Sequence, residues 1–469
     1  MRPNSILRSL SVLTLLFAGS AAADEYADLV NAYGTTTTLI GTHQSATNDA
    51  NGNAINFWQP GYEGGPAVNA PLSNPHMAGA DAFGNVYIAD KASHSILRIS
   101  ADGNIHTFAG THVQGFNGDG PAAATSLMIG DPNGLYVFPN GTVYLLDPDN
   151  HRIRKVAPNG IMTTVINDPD PRWKGSGRAL WVSNDEQLIY YTNELSPVPP
   201  NTIADGAVVK KWTPAGGIEL VCSQSVGFRN PGNIAVNPIN GLLYVCDRAE
   251  DDSSKQAVGI FRIDGPDQRT RITGNINNSA AFEGALAVDS FIDQPRGITF
   301  LPSGGCFICG HKDGSIWYLD TSGVLHRYIL GRGSKDYYNL TNGLHPPLTG
   351  LAPNFQEWFS QPRSVTIGPN GDLIVVCSDS GFVFKVSYAT APVLPVDFRP
   401  TQIAPDGAHL RWSGIFSRGY IVERTWELTP PSWQSIGAAF GNPYSAPTSF
   451  VDAEATAHGH AFYRLRPSQ

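Results

Sequence analysis

Six equivalent positions along this 469-residue chain hold His76, Asn133, Arg178, Gly232, Arg296 and Arg363. Most follow a proline, and each opens a short apolar run. Three are arginines, whose guanidinium is a planar, permanently charged fork suited to a carboxylate or phosphate. A second series closes the next apolar run of each segment: Asp90, Asp147, Asn193, Asp247, Gly310 and Ser378, the last two followed by His311 and Asp379. Two chemistries fit these residue types. The arginines with His76 and Asn133 could hold an anion. Alternatively each arginine pairs with an acid ending a neighbouring strand, and each Asp accepts hydrogen bonds from its own turn.

Either reading needs an architecture that brings distant segments together, and the chain supplies one. Residues 84–90 read Gly-Asn-Val-Tyr-Ile-Ala-Asp. The phrase returns at 141–147 as Gly-Thr-Val-Tyr-Leu-Leu-Asp and at 241–247 as Gly-Leu-Leu-Tyr-Val-Cys-Asp, with looser copies ending at Asn193, Gly310 and Ser378. One apolar run precedes each copy and another follows. A period of roughly 45–65 residues, each unit a set of short strands, marks a β-propeller. In that fold the start of strand A and the end of strand B reach one face beside the central channel. Both residue series therefore belong to one channel mouth.

The sixth repeat lacks a fourth strand. After Phe382-Val-Phe-Lys-Val386 the chain turns into a Pro-containing segment, whereas Thr35-Thr-Thr-Thr-Leu-Ile-Gly41 resembles the D strands His106-Thr-Phe-Ala-Gly110 and Met162-Thr-Thr-Val165. The N-terminal strand is expected to complete the last blade and close the ring, which removes open sheet edges. The fold class expected is all-β: a six-bladed propeller over 24–390, then a small β-sandwich over 391–469 with four alternating segments, among them Gly407-Ala-His-Leu-Arg-Trp-Ser413 and Ala461-Phe-Tyr-Arg-Leu-Arg466.

The strings Gly-Asn-Val-Tyr-Ile-Ala-Asp90, Asp147-Pro-Asp-Asn-His-Arg-Ile-Arg-Lys-Val156 and Gly115-Phe-Asn-Gly-Asp-Gly-Pro121 resemble those of NHL-repeat proteins, particularly exported bacterial ones. The resemblance covers about residues 35–388 and is weakest in the third repeat. It implies six blades and no single activity, since the family and its relatives include interaction modules, lyases and lactonases. The C-terminal segments resemble a fibronectin type III-like domain, which implies a spacer or adhesion role.

Residues 1–23 read as an export signal: Arg2 and Arg8 flank a short apolar stretch, and Ala21-Ala22-Ala23 offers a cleavage site. No later segment is apolar and long enough for a membrane span. A secreted, periplasmic or cell-surface protein is expected. Loss of residues 1–23, which carry two arginines and no acid, takes the net charge from −9 to −11. So acidic a chain is a poor phosphate-backbone binder, which argues against nucleic acid as a partner. The five cysteines are read as small buried core thiols. Cys306 and Cys309 lie three apart on a strand, on opposite faces, so neither a redox pair nor a zinc knuckle is expected there.

Other chemistries find less support. Asn117-Gly-Asp119 and Asp147-Pro-Asp-Asn150 offer oxygen ligands for calcium, though Asx turns use the same residues without an ion. No other cofactor is expected. A zinc site from His76, His151 and His311 would need separate blades to converge on it, and histidine does not recur at the matching place in three spaced repeats, as it does in the lyase relatives. No serine has the strand–elbow–helix setting of a nucleophile. Long connections at Thr42–Leu72, Thr111–Asp131, Asn275–Asp293 and Arg332–Ser360 are expected over the ligand face, with aromatics at 57–62 and 335–359 that either stack on a ligand or pack the loops. The function expected is an exported binding or scaffold propeller recognising an extracellular protein, a polysaccharide or a small anionic ligand. The site is His76, Asn133, Arg178, Arg296, Arg363, Asp247, His311 and Asp379. The alternative is a metal-assisted lactonase or lyase at the same mouth.

Overall fold

The fold is described from a computed structural model. It covers residues 25–42, 48–51, 54–170, 177–193, 207–249, 257–274, 281, 283–312, 314–331, 355–356, 359, 360–369, 371–388, 397–413, 419–440, 448–458 and 461–467. The export signal expected at 1–23 and most of the aromatic segment at 335–359 lie outside these residues. Among the described residues no helix is long and apolar enough to cross a membrane.

The protein is a β-propeller. Six antiparallel sheets each run A-B-C-D from the centre outward, with A strands at Pro75–Ala80, Leu135–Val137, Gly177–Val182, Pro231–Val236, Pro295–Phe300 and Pro362–Ile367. Each A strand lies beside that of the next blade, and the sixth returns to the first. The strands read as nearly continuous apolar runs because both sheet faces are covered. Six apolar cores fill the six spaces between neighbouring blades; Tyr87 and Ile96 of blade 1, for example, meet Val143 and Leu145 of blade 2. Cys306 and Cys309 fall in cores on opposite sides of blade 5. All five cysteines are buried and free.

The closing strand is where the sequence places it. Tyr33–Ile40 pairs antiparallel with Phe382–Tyr388, Thr37 opposite Lys385 and Thr35 opposite Ser387. A short helix not foreseen in the sequence, Glu25–Ala32, precedes it. Its Tyr26 and Leu29, three residues apart and so on one helical face, are buried among Phe307, Tyr318 and Tyr328 of blade 5 and Val365 and Phe384 of blade 6. Glu25 accepts hydrogen bonds from Ser303 and Tyr318, and Tyr328 donates to the Leu29 carbonyl. The N-terminal segment therefore clamps blades 5 and 6 as well as completing the sixth.

The long D-to-A connections run differently from expectation. In three blades a Glu/Asp-Gly segment straps the outer edge of the blade that follows it. Gly64 donates to the Ile105 carbonyl and Ala67 to that of Gly103; Gly284 and Ala287 do the same to Leu325 and Gly323. Ala122–Ala123 adds a fifth strand to blade 2. The acid anchors the strap: Glu63 accepts from the Thr107 N–H and contacts His106, Glu283 does so with Arg327 and His326, and Asp119 accepts from Thr164 and Arg152. These segments cover strand edges that would otherwise invite pairing with another chain. Trp58, on the first connection, stacks on His112 of the second with ring centroids 4.6 Å apart, so this aromatic packs one connection against the next.

The described strands between 397 and 467 form two three-stranded antiparallel sheets. Leu410 and Val422 are buried, with Ile436, Phe450, Tyr463 and Leu465 packed against them.

Candidate functional site

Local backbone geometry sets the ring of side chains. Proline suits the first position of a strand, where its missing N–H is not needed. In blades 1, 4, 5 and 6 the strand register slips immediately after that proline, and blade 3 slips in the same way after Gly177. A slip of this kind is a β-bulge, which re-aims the extra residue. The residue placed there is His76, Arg178, Gly232, Arg296 or Arg363. In blade 2 the equivalent Asn133 sits just before the strand. Gly232 carries no side chain because there is no room for one: a Cβ would meet the Arg296 carbonyl oxygen at 2.9 Å.

In blades 1, 2 and 4 an Asp ends strand B and fixes the turn that enters strand A. Asp90 accepts from the N–H groups of Ser73 and Asn74, just before Pro75. Asp247 accepts from Arg229, Asn230 and Ala249. Asp147 accepts from Gly130 and Asn150 and forms a 2.7 Å ion pair with Arg154. Asp247 was expected at the mouth as a ligand-binding residue. It is instead fully buried, outside the residues that line the cavity, holding the turn that delivers Gly232 and Asn233. The oxygens considered for calcium at Asp119 and Asp147 are likewise engaged by protein donors.

His76, Asn133, Arg178, Arg296 and Arg363 line one cavity of about 40 Å³ at the channel mouth, together with Met77, Asn233, Ser364 and Arg248. Arg248 was missed in the sequence. It follows Asp247 directly, so the signal was a cation one place beyond the series of strand-B ends. Its backbone N–H bonds the Asn230 carbonyl, which seats it over the start of strand A. His311 and Asp379 stand behind the lining: Asp379 lies 3.7 Å from the Arg363 guanidinium and 3.9 Å from His311 Nε2.

The electrostatics of the mouth are cationic. Arg363 Nη1 lies 3.0 Å from His76 Nε2. Arginine only donates, so His76 Nε2 must be the unprotonated nitrogen. Burial, then the charges of Arg363, Arg178, Lys91 and Arg296, hold the His76 pKa well below its ordinary value. Burial, Arg296 and Arg363 push His311 down as well. His311 Nδ1 faces the Gln361 carbonyl at 3.1 Å and donates to it, so its contact with Asp379 is not an ion pair at neutral pH. Both rings stay neutral in the fold but take protons in the unfolded chain below about pH 6.5. Stability from these two groups is therefore present above that pH and lost as pH falls through it. The His76→Gln/His311→Gln double variant is expected to lose less thermal stability than the parent between pH 7 and 5. Calorimetric melting at half-unit steps checks this, and parallel pH profiles would contradict it.

Among the described residues no three His, Cys, Asp or Glu side chains group closely enough to hold a metal ion. His151 Nδ1 faces the Asp170 carbonyl at 3.1 Å.

No family model matches the chain. A stretch of 192 residues is 27% identical to part of Teneurin-3 of Danio rerio, covering 38% of this chain and 6% of that protein, so the chain spans a small fraction of that relative's length. A solved structure of a protein of unknown function from Bacteroides thetaiotaomicron superimposes with a TM-score of 0.53 at 13% identity, covering 76% of each chain. An auxiliary nutrient binding protein from the same organism gives 0.50 at 12% identity, again over 76% of each. At these identities the likeness is one of fold.

Proposed function

We propose that this chain is an exported, NHL-like binding propeller that takes an anionic group of its ligand at the arginine-lined channel mouth, with the fibronectin type III-like sandwich as a spacer. One observation carries the reading: Arg178, Arg296 and Arg363, from three strands, and Arg248, from a connection, line a single cavity with His76 and Asn133 and come from four different blades. About 40 Å³ is room for a few water-sized groups, roughly one carboxylate. Guanidinium forks arranged around such a space match that shape. Burial does most to keep His76 and His311 neutral, and the arginine charges that add to it are the ones an anion would meet. Fixed bulges place Arg178, Arg296 and Arg363, and Asp-held turns place His76, Asn133 and Arg248, before any ligand arrives, which lowers the ordering cost of binding.

Titration calorimetry with small carboxylates and inorganic phosphate tests the reading. Arg296→Gln and Arg363→Gln are each expected to weaken binding about ten- to a hundredfold, the range for a lost hydrogen bond to a charged group. Equal affinity in both variants would refute it. Stoichiometric metal together with chelator-sensitive lactone hydrolysis would replace it with a catalytic function at the same mouth.

A further inference from the structure

The channel does not end at the arginines. Beyond them lies a second cavity of about 190 Å³, and Met77 and Asn233 line both. Its walls are the later residues of the same A strands. Arg178 is followed by Leu180 and Trp181, Arg296 by Ile298 and Phe300, Asn133 by Leu135 and Val137. No Lys, Arg, Asp, Glu or His is among the described residues lining it. Thr366, one of its few polar groups, donates its hydroxyl to the Ala78 carbonyl. Each A strand therefore changes from polar or cationic to apolar along its length, in step around the ring. From the His76 level to the Ala80 level is about 13 Å at the usual strand rise.

We propose that the ligand is an amphipathic monocarboxylate, its carboxylate among the guanidinium groups and its aliphatic or aromatic body in the apolar channel. This rests on the anion-binding reading above and adds the ligand class to it. A dry apolar cavity of roughly 150 Å³ accommodates benzene, so the channel takes a body of about six to eight carbons. Free acetate or phosphate would fill the head site alone and leave the larger cavity unused. A di- or polyanion would have to bury its second charge against Leu, Ile and Phe, which is strongly disfavoured.

The test is a calorimetric series on the full chain with butanoate, hexanoate, octanoate, octanol and octylamine, repeated on Arg363→Gln and Ala80→Phe. Ala80 lines the apolar cavity, so a phenyl group there occupies the tail's space and leaves the arginines in place. Affinity is expected to rise about fourfold per methylene, as burial of each CH₂ predicts, with octanoate well ahead of octanol and octylamine. Arg363→Gln should weaken all carboxylates, and Ala80→Phe should flatten the series while butanoate binding persists. A flat series in the parent protein, with butanoate still sensitive to Arg363→Gln, would leave the anion site standing and overturn the amphipathic ligand. Octanol binding as tightly as octanoate and unaffected by Arg363→Gln, or no binding of any carboxylate, would overturn both.

Discussion

Removing residues 25–40 is expected to unfold the propeller outright. Tyr26, Leu29 and Ile40 are 8%, 1% and 0% exposed, and full burial of each such side chain stabilises by about 1.5–3 kcal/mol. That total is comparable to the whole stability of a typical domain, about 5–15 kcal/mol. The deletion also exposes the edge of Phe382–Tyr388 and the blade 5 surface under the helix. The expected result is loss of a cooperative melt with aggregation on size exclusion. A synthetic peptide of residues 24–41 added during refolding should restore both. The single change Leu29→Ala should cost about 2–5 kcal/mol. A truncated chain that melts like the parent would show that closure is dispensable.

Arg154→Met is expected to destabilise the fold by about 3–5 kcal/mol at pH 7, because it strands a buried carboxylate. Arg154 and Asp147 are both 0% exposed and 2.7 Å apart, and the arginine also donates to the Gly118 carbonyl of the strap across blade 2. Burial already pushes Asp147 up to about 6 in spite of Arg154 and its hydrogen bonds. Losing the arginine raises it further. The folded variant then binds a proton that the unfolded chain, with an ordinary Asp near 3.9, does not. Its deficit should shrink as pH falls from 7 toward 5. Asp147→Asn in the Arg154→Met background should recover part of the loss at pH 7. Denaturant unfolding at pH 7 and 5.5 measures both effects, and a loss below 1 kcal/mol at pH 7 would show that Asp147 does not depend on Arg154.

Much of this was legible in the sequence because the repeat is a direct record of one structural unit. The Tyr-x-x-Asp phrase marked strand B, and counting back to the proline located the bulged position in each blade, so His76, Arg178, Arg296 and Arg363 could be placed around one mouth. The odd D strand at 35–40 could be matched to its absent counterpart for the same reason. What escaped lay off the repeat. Arg248 belongs to a connection whose partners in other blades are unlike it. Glu25–Ala32 is eight residues long, too short for a convincing helical period. Asp247 was misplaced because a carboxylate at a strand end looks the same whether it faces a ligand or its own turn. Buried Arg154 sits in a run, Arg-Ile-Arg-Lys-Val, that reads as a half-exposed strand. The apolar channel was hidden because its lining is drawn from strands that each look like ordinary core.

The pairing of Tyr33–Ile40 with Phe382–Tyr388 also has a timetable. Thr35 meets Ser387 across some 350 residues of chain. At about 5–20 residues per second of synthesis, the first strand waits roughly 20–70 s for the partner it must join. Blades 1 to 5 have each of their four strands in one continuous stretch of chain, and so are able to assemble in order as they emerge. The sixth cannot. Until the last hairpin is made, the growing protein is an open arc with one unfinished end and one loose strand, the state most exposed to pairing with a second copy. The ring is thus sealed by the oldest residues of the fold meeting nearly the youngest, after Ser303, Tyr318 and Tyr328, which bond the Glu25–Ala32 helix, have already been made.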